Sequence, residues 1–246
     1  MIYSKLLGFL FRSWFGEPPH VAEANATSLV LVADGCGGVD LCGFGLRYVM
    51  GGQAERRLVR VIPWGHGLGR WHADLTDTAN HRRWSEAVAA EVVAWREHHP
   101  SAQVYLVGKS GGAWIMVKAL ESLPEGAVEA AVLLAPALSP GYDLAPALRA
   151  VRREVVAFWS PLDVVILGAG TWAFGTIDRV HSASAGLLGF REPSPPLGRA
   201  GPIGPARLRQ VRWRPAMALK GYLGGHVGPD SPAFLRAYVV PLLSPC

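Results

Sequence analysis

Five short segments constrain the fold more than any single residue does. SLVLVAD (28–34), RLVRVIP (57–63), AQVYLV (102–107), EAAVLLA (129–135) and REVVAFWS (153–160) are apolar and rich in β-branched residues. Runs of this length and character read as parallel strands buried in a sheet. Between the second and third lies SEAVAAEVVAWREHHP, in which Val88, Val92 and Trp95 share one helical face, Ser85 can cap the start and Pro100 marks the stop. Strand, helix and strand in this rhythm point to a wound, mostly parallel sheet with helices on both faces. Further on, EPSPPLGRAGPIGP (192–205) is loop, VRWRPAMALKGY (211–222) supplies a sixth strand before or after Pro215, and SPAFLRAYVVPLL forms a closing helix.

The segment VYLVGKSGGAW (104–114) carries two overlapping signatures. Its G-K-S could end a phosphate-binding loop, but such a loop needs a glycine five residues before the G-K pair, and Gln103 stands there. The preceding VYLV is an apolar strand, where phosphate-cradling amides would need a glycine-rich loop. Read instead as G-x-S-x-G, the segment has a strand ending at Val107, small residues at Gly108 and Gly112 where a turn crowds its neighbours, and a helix-compatible run AWIMVKALES. That is the sharp strand-to-helix turn that exposes a nucleophilic serine, here Ser110, with the Gly111 amide at a helix N-terminus facing a developing oxyanion.

With these residues the chain resembles the α/β-hydrolase family. In that family the serine follows the third of these strands, an acid the fifth and a histidine the sixth. Asp163 follows REVVAFWS, and His226 lies in the glycine-rich GYLGGHVGPD, so both stand where the family pattern puts them. The resemblance implies Ser110 as nucleophile, His226 as base and then acid, and Asp163 as the group that orients the imidazole. It also implies a second oxyanion donor from DGCGGVD (34–40), the amide of Gly35 or Cys36, with Asp34 in place of the histidine of the family's H-G-x-x-G motif. The chain departs from commoner relatives in having no room for a large cap between the fourth and fifth assigned strands. Its longer excursion is 164–210, where Trp172, Phe174, Leu187, Leu188 and Phe190 could form an apolar acyl-binding wall or belong to the core.

Other residues compete for these roles. Asp178 is an alternative acid, although the adjacent Arg179 offers it an ion pair. His66, His72, His81 and His181 compete with His226, and the histidine-rich PWGHGLGRWHADLTDTANHRRW (63–84) suggests a metal site at first sight. No pair in it has the i, i+4 spacing of H-E-x-x-H, so no metal is expected and the segment is read as lining one wall of the pocket.

Composition narrows the partners. At 50% hydrophobic and 17% charged residues the chain is too apolar for a disordered one. Its net charge of +5 is spread over separate arginines such as Arg56-Arg57, Arg82-Arg83 and Arg152-Arg153, and forms no stripe for nucleic acid. Cys36, Cys42 and Cys246 lack both metal spacing and a disulfide framework, which favours a reducing, cytoplasmic setting. The domain expected is 21–246, preceded by an apolar segment, 1–20. There Leu6, Leu7, Leu10, Phe11 and Trp14 recur at helical spacing, so residues 6–15 either pack on the domain or touch a membrane surface. The expectation is a serine hydrolase of a small-molecule or lipid-like ester that needs no cofactor. An acyltransferase or an amide or peptide hydrolase would use the same triad, and a catalytically silent binding protein would retain the serine without using it.

Overall fold

The computed structural model describes residue 23 and residues 26–51, 56–191 and 207–244. The apolar N-terminal segment 1–20, the proline-rich stretch 192–205 and Cys246 lie outside the described residues. Strands β1 (Ser28–Ala33), β2 (Arg57–Val61), β3 (Gln103–Lys109), β4 (Val128–Leu134), β5 (Val151–Trp159) and β6 (Arg207–Arg212) form one six-stranded sheet in the order β2-β1-β3-β4-β5-β6. Every neighbouring pair is parallel. The chain winds outward from β1 to β2, returns to β3 on the other side of β1, and then proceeds across the sheet. This is the α/β-hydrolase fold.

Burial on both sides explains why the strands read as continuous apolar runs, since successive side chains enter opposite layers. Leu29, Leu31, Leu106 and Leu133 pack into one core together with residues of α3 (Thr78–His98), α4 (Gly112–Ser122) and α5 (Ala145–Arg149). Their neighbours Val30, Val32, Tyr105, Val107 and Val132 pack into the other, with α1 (Leu41–Met50) and the helical stretch 232–243. A short helix, α2 (Trp71–Thr76), precedes α3. Between β4 and β5 the five-residue α5 is the sole helix, so no large cap intervenes. Among the described residues no helix is long and apolar enough to cross a membrane.

Two elements differ from the sequence expectation. Helix α3 starts at Thr78, not near Ser85, and Asp77 caps it by accepting the Asn80 N–H at 2.9 Å. Its first turns are polar because Asn80 donates to the Trp64 carbonyl and His81 meets that of Asp74, so no apolar period marks them. The Ser85 hydroxyl donates within the helix to the His81 carbonyl. Strand β6 lies wholly before Pro215, which instead opens a 3-10 turn, Pro215–Lys220. Among the described residues it is an edge strand paired with β5 alone, so its RLRQVR need not be apolar, and Arg209 holds Glu154 of β5 at 2.7 and 3.0 Å.

The turn after β3 is where the packing is tightest. A methyl group on Gly112 would stand 2.1 Å from the Ala33 carbonyl oxygen, and one on Gly108 would stand 2.5 Å from Ala113 Cα. Only hydrogen atoms fit where α4 leaves the sheet. Gly112→Ala is therefore expected to destabilise the protein by more than about 3 kcal/mol in urea unfolding. Gly141→Ala, facing open space, should change stability by less than about 0.5 kcal/mol in the same assay.

Candidate active site

The sheet delivers the site by its register. Ala33 of β1 pairs with Gly108 of β3, so the residues that follow run side by side, Asp34 beside Lys109 and Gly35 beside Ser110. Ser110 has φ +51°, a left-handed conformation that a non-glycine residue adopts at a cost of about 1–3 kcal/mol. Its backbone is held there by an N–H bond to the Leu134 carbonyl at 2.9 Å and by the Ala113 and Ala137 amides, which donate to its own carbonyl. The serine side chain is thus placed at the carboxyl ends of the strands, where their order reverses.

Three side chains meet there in a hydrogen-bonded line. His226 Nε2 lies 3.0 Å from Ser110 Oγ, and His226 Nδ1 lies 2.7 Å from Asp163 Oδ2. Asp163 is buried in the turn after β5 and accepts the Nδ1 proton, which leaves Nε2 free to accept the serine proton. Asp178, the alternative acid, is elsewhere: its carboxylate accepts the Ser139 N–H at 2.8 Å and the Ser139 hydroxyl at 2.5 Å. Nor does it pair with Arg179, whose guanidinium donates to the Phe174 carbonyl.

The oxyanion candidates surround the same serine. A methyl group on Gly35 would lie 3.2 Å from Ser110 Cβ, and one on Gly111 would lie 2.6 Å from Cys36 Sγ, so Gly35 approaches Ser110 closely and Cys36 approaches Gly111. Gly111 precedes α4, where the first amides have no partner within the helix. Burial pushes the Cys36 thiol up to about 12, so it stays protonated at neutral pH and does not compete as nucleophile. The loop carrying Gly35 and Cys36 is pinned by two buried carboxylates. Asp34 accepts the Cys42 and Gly43 amides at the start of α1, at 3.0 and 2.7 Å. Asp74 accepts the Gly37 N–H at 2.7 Å.

Asp74 also explains the histidine-rich segment. Its Oδ1 accepts the His66 N–H at 2.6 Å and lies 2.9 Å from His66 Nδ1, while His66 Nε2 lies 3.1 Å from Asp77. These groups tie a loop together and leave no ligand set. Among the described residues one group of donors, Asp34, Cys42 and Asp230, lies within a span of 4.8 Å. The Lys109 ammonium already ion-pairs with Asp230 there, and burial holds the Cys42 thiol far above its ordinary pKa, so this set does not fit a divalent cation.

Beside the serine a cavity of about 380 Å³ is lined by Trp71, Leu75, Ala137, Ile166, Leu167 and Phe174, among others, with Ser110 and His226 at one side. Of the five apolar residues singled out from the sequence, Phe174 alone lines it. Leu187 and Phe190 belong to the core, because the chain from 185 to 190 packs back on the sheet, and Trp172 (69% exposed) and Leu188 face solvent. Ile166 and Leu167, three and four residues past Asp163, were missed because they lie in a π-helical turn (Val165–Gly170) whose VILGAG has no regular period. Trp71 comes from the histidine-rich segment, which therefore does line one wall; its ring meets Phe174 edge-on, 5.1 Å between centroids.

No protein-family model matches the chain, and no curated protein does. Solved structures do. LpqC, a poly(3-hydroxybutyrate) depolymerase of Bordetella parapertussis, is 16% identical over 89% of this chain and 84% of its own, with a TM-score of 0.42. A Trichoderma reesei cutinase bound to a phosphonate inhibitor is 14% identical over 96% of this chain and 85% of its own, with a TM-score of 0.40. The RedJ thioesterase of the Streptomyces coelicolor prodiginine pathway is 18% identical over 89% of this chain and 93% of its own, with a TM-score of 0.38.

Asp34 makes a pH-dependent contribution to stability whose sign follows from its surroundings. Burial raises its pKa from 3.8 to about 7, against the opposing pull of Lys109 and with Asp230 adding to the rise. Between those pH values the folded protein holds a proton that the unfolded chain has lost, so this group's contribution to stability falls as pH rises from about 4 through 7. Asp34→Asn lacks that slope. In urea unfolding its stability relative to wild type is expected to improve between pH 5 and pH 8, and an unchanged difference would exclude the titration.

Proposed function

We propose that the protein is a serine hydrolase that cleaves a carboxylic ester through an acyl-enzyme on Ser110. The observation that carries this reading is the line from Ser110 Oγ through the imidazole of His226 to Asp163, set at a turn where the serine holds φ +51°. A neutral imidazole with its proton on Nδ1 is the base that a serine hydroxyl requires, and the buried carboxylate fixes that tautomer. Ser110 Oγ attacks the ester carbonyl as its proton passes to His226 Nε2. The tetrahedral oxyanion meets the Gly111 amide and a second amide from Gly35 or Cys36. Collapse expels the alcohol, which takes the proton from Nε2. A water then repeats the sequence and releases the acid.

The cavity favours an apolar acyl group. Among the described residues its lining includes no lysine, arginine, aspartate or glutamate, and Trp71, Leu75, Ile166, Leu167 and Phe174 present apolar surface next to the attacking oxygen. A charged acyl chain would lose its hydration there with no partner in return. The Trp71 and Phe174 rings, in contact with each other, bound the volume open to the chain.

Hydrolysis of p-nitrophenyl esters from acetate to palmitate tests both parts. Ser110→Ala, His226→Ala and Asp163→Asn should each lower kcat/KM by about 10³-fold or more. Asp178→Asn should stay within about tenfold of wild type. Turnover that survives Ser110→Ala would overturn the assignment. In the same series Phe174→Ala and Trp71→Ala should move the preferred acyl chain to greater length, and Trp172→Ala should leave it where it is.

A further inference from the structure

The proposed reaction makes no use of a buried charge cluster that lies next to Ser110. Lys109 immediately precedes the nucleophile, and its ammonium is ion-paired with Asp230 in the loop that carries His226; both residues are buried. Asp34, from the loop that supplies Gly35 and Cys36, lies in the same cluster, with its carboxylate and that of Asp230 within 4.8 Å. Asp230 Oδ1 is buried without a hydrogen-bond partner among the described residues. Burial lowers the pKa of Lys109, yet the combined pull of Asp230, Asp34 and Cys42 leaves it raised, so the lysine is charged at neutral pH. A buried ion pair gains little net stability over apolar side chains of the same size, and its best attested use is to fix one arrangement.

The loop it holds has few other ties. Residues 223–230, LGGHVGPD, include three glycines. Among the described residues no backbone hydrogen bond joins 223–230 to the sheet, and the bonds made by Gly228 and Asp230 close turns within the loop. Side-chain hydrogen bonds leave the loop from two residues: His226 to Ser110 and Asp163, and Asp230 to Lys109. The imidazole's own contacts cannot both position it and be free to change during proton transfer. A glycine-rich loop held at one end by the fold and at the other by an internal charge pair resolves this.

We propose that Lys109 and Asp230 are positioning residues: their buried ion pair anchors the histidine loop to the nucleophile turn so that His226 Nε2 meets Ser110 Oγ. Asp34 extends the same cluster to the loop of Gly35 and Cys36, so one group of charges sets three parts of the site against one another. The inference rests on the serine-hydrolase reading. The titratable groups around the imidazole are Asp163 and Asp230, with Lys109, Asp34 and Cys42 behind Asp230.

The test begins with labelling of the wild type by a fluorophosphonate. A folded wild type that does not react and does not turn over ester overturns the hydrolase reading, and the proposal with it, before any variant is made. With an active wild type, kcat, KM and the pH profile of p-nitrophenyl butyrate hydrolysis are compared for Lys109→Met, Asp230→Asn, Asp230→Glu and the double variant Lys109→Met/Asp230→Asn, per site labelled. Each single removal is expected to lower kcat by about 10²-fold, the size of a 1 Å misplacement, with KM within about threefold. Asp230→Glu should recover at least tenfold over Asp230→Asn, and the double variant should be no slower than the worse single. If a single variant does not fold, the double, which strands no buried charge, decides. A folded double variant with wild-type kcat, or single variants that lose thermal stability while kcat per labelled site is unchanged, would overturn the proposal.

Discussion

The pairing of Ala33 with Gly108 is the contact from which the rest of the site follows. Because β1 lies between β2 and β3, the chain turns one way after β1 and the other way after β3, and the two following loops part to leave a crevice. The register decides what faces that crevice. In a shift of one residue Lys109 would stand where Ser110 stands, and the side chains of β3 would exchange layers. Both layers are dense and apolar, so the cost of such a shift falls on the core as a whole, and the position of the Ser110 hydroxyl inherits the specificity of two hydrophobic cores.

What the cores cannot fix, carboxylates do. The loop after β1 consists largely of small residues and has little to bury, yet its amides must keep a definite direction. Asp34 accepts the first amides of α1, and Asp74, reaching from α2, accepts that of Gly37. The Asp34 carbonyl in turn accepts the indole N–H of Trp64 at 2.7 Å. A chain with few large side chains is thereby shaped through its main chain.

The strands, the sharp turn from β3 into α4 and the chain order of Ser110, Asp163 and His226 were legible in the sequence because each depends on local pattern: an apolar run, a pair of glycines, a residue just past a strand. The lining of the cavity was not. Leu187 and Phe190 have the same composition as a pocket wall, and only the return of their segment onto the sheet assigns them to the core. Ile166 and Leu167 come within four residues of Asp163, but a π-helical turn shows neither a helical nor a strand period. The start of α3 was hidden because its first turns answer the polar groups of Trp64 and Asp74. The partnership of Lys109 with Asp230 joins residues far apart in the chain and had no signature at either position.

Strand β6 has a bearing on how the protein behaves in company. An edge strand offers unpaired amides and carbonyls to any passing strand, and the five strands beside it are among the most apolar stretches of the chain. Its sequence RLRQVR sets three arginines along that border, of which Arg209 is held in place by Glu154. Two copies approaching edge to edge would bring like charges together along the whole strand before a single hydrogen bond could form. The basic character of the chain, which offers no nucleic-acid stripe, thus has a local effect: like charges oppose the approach of a second sheet along this border.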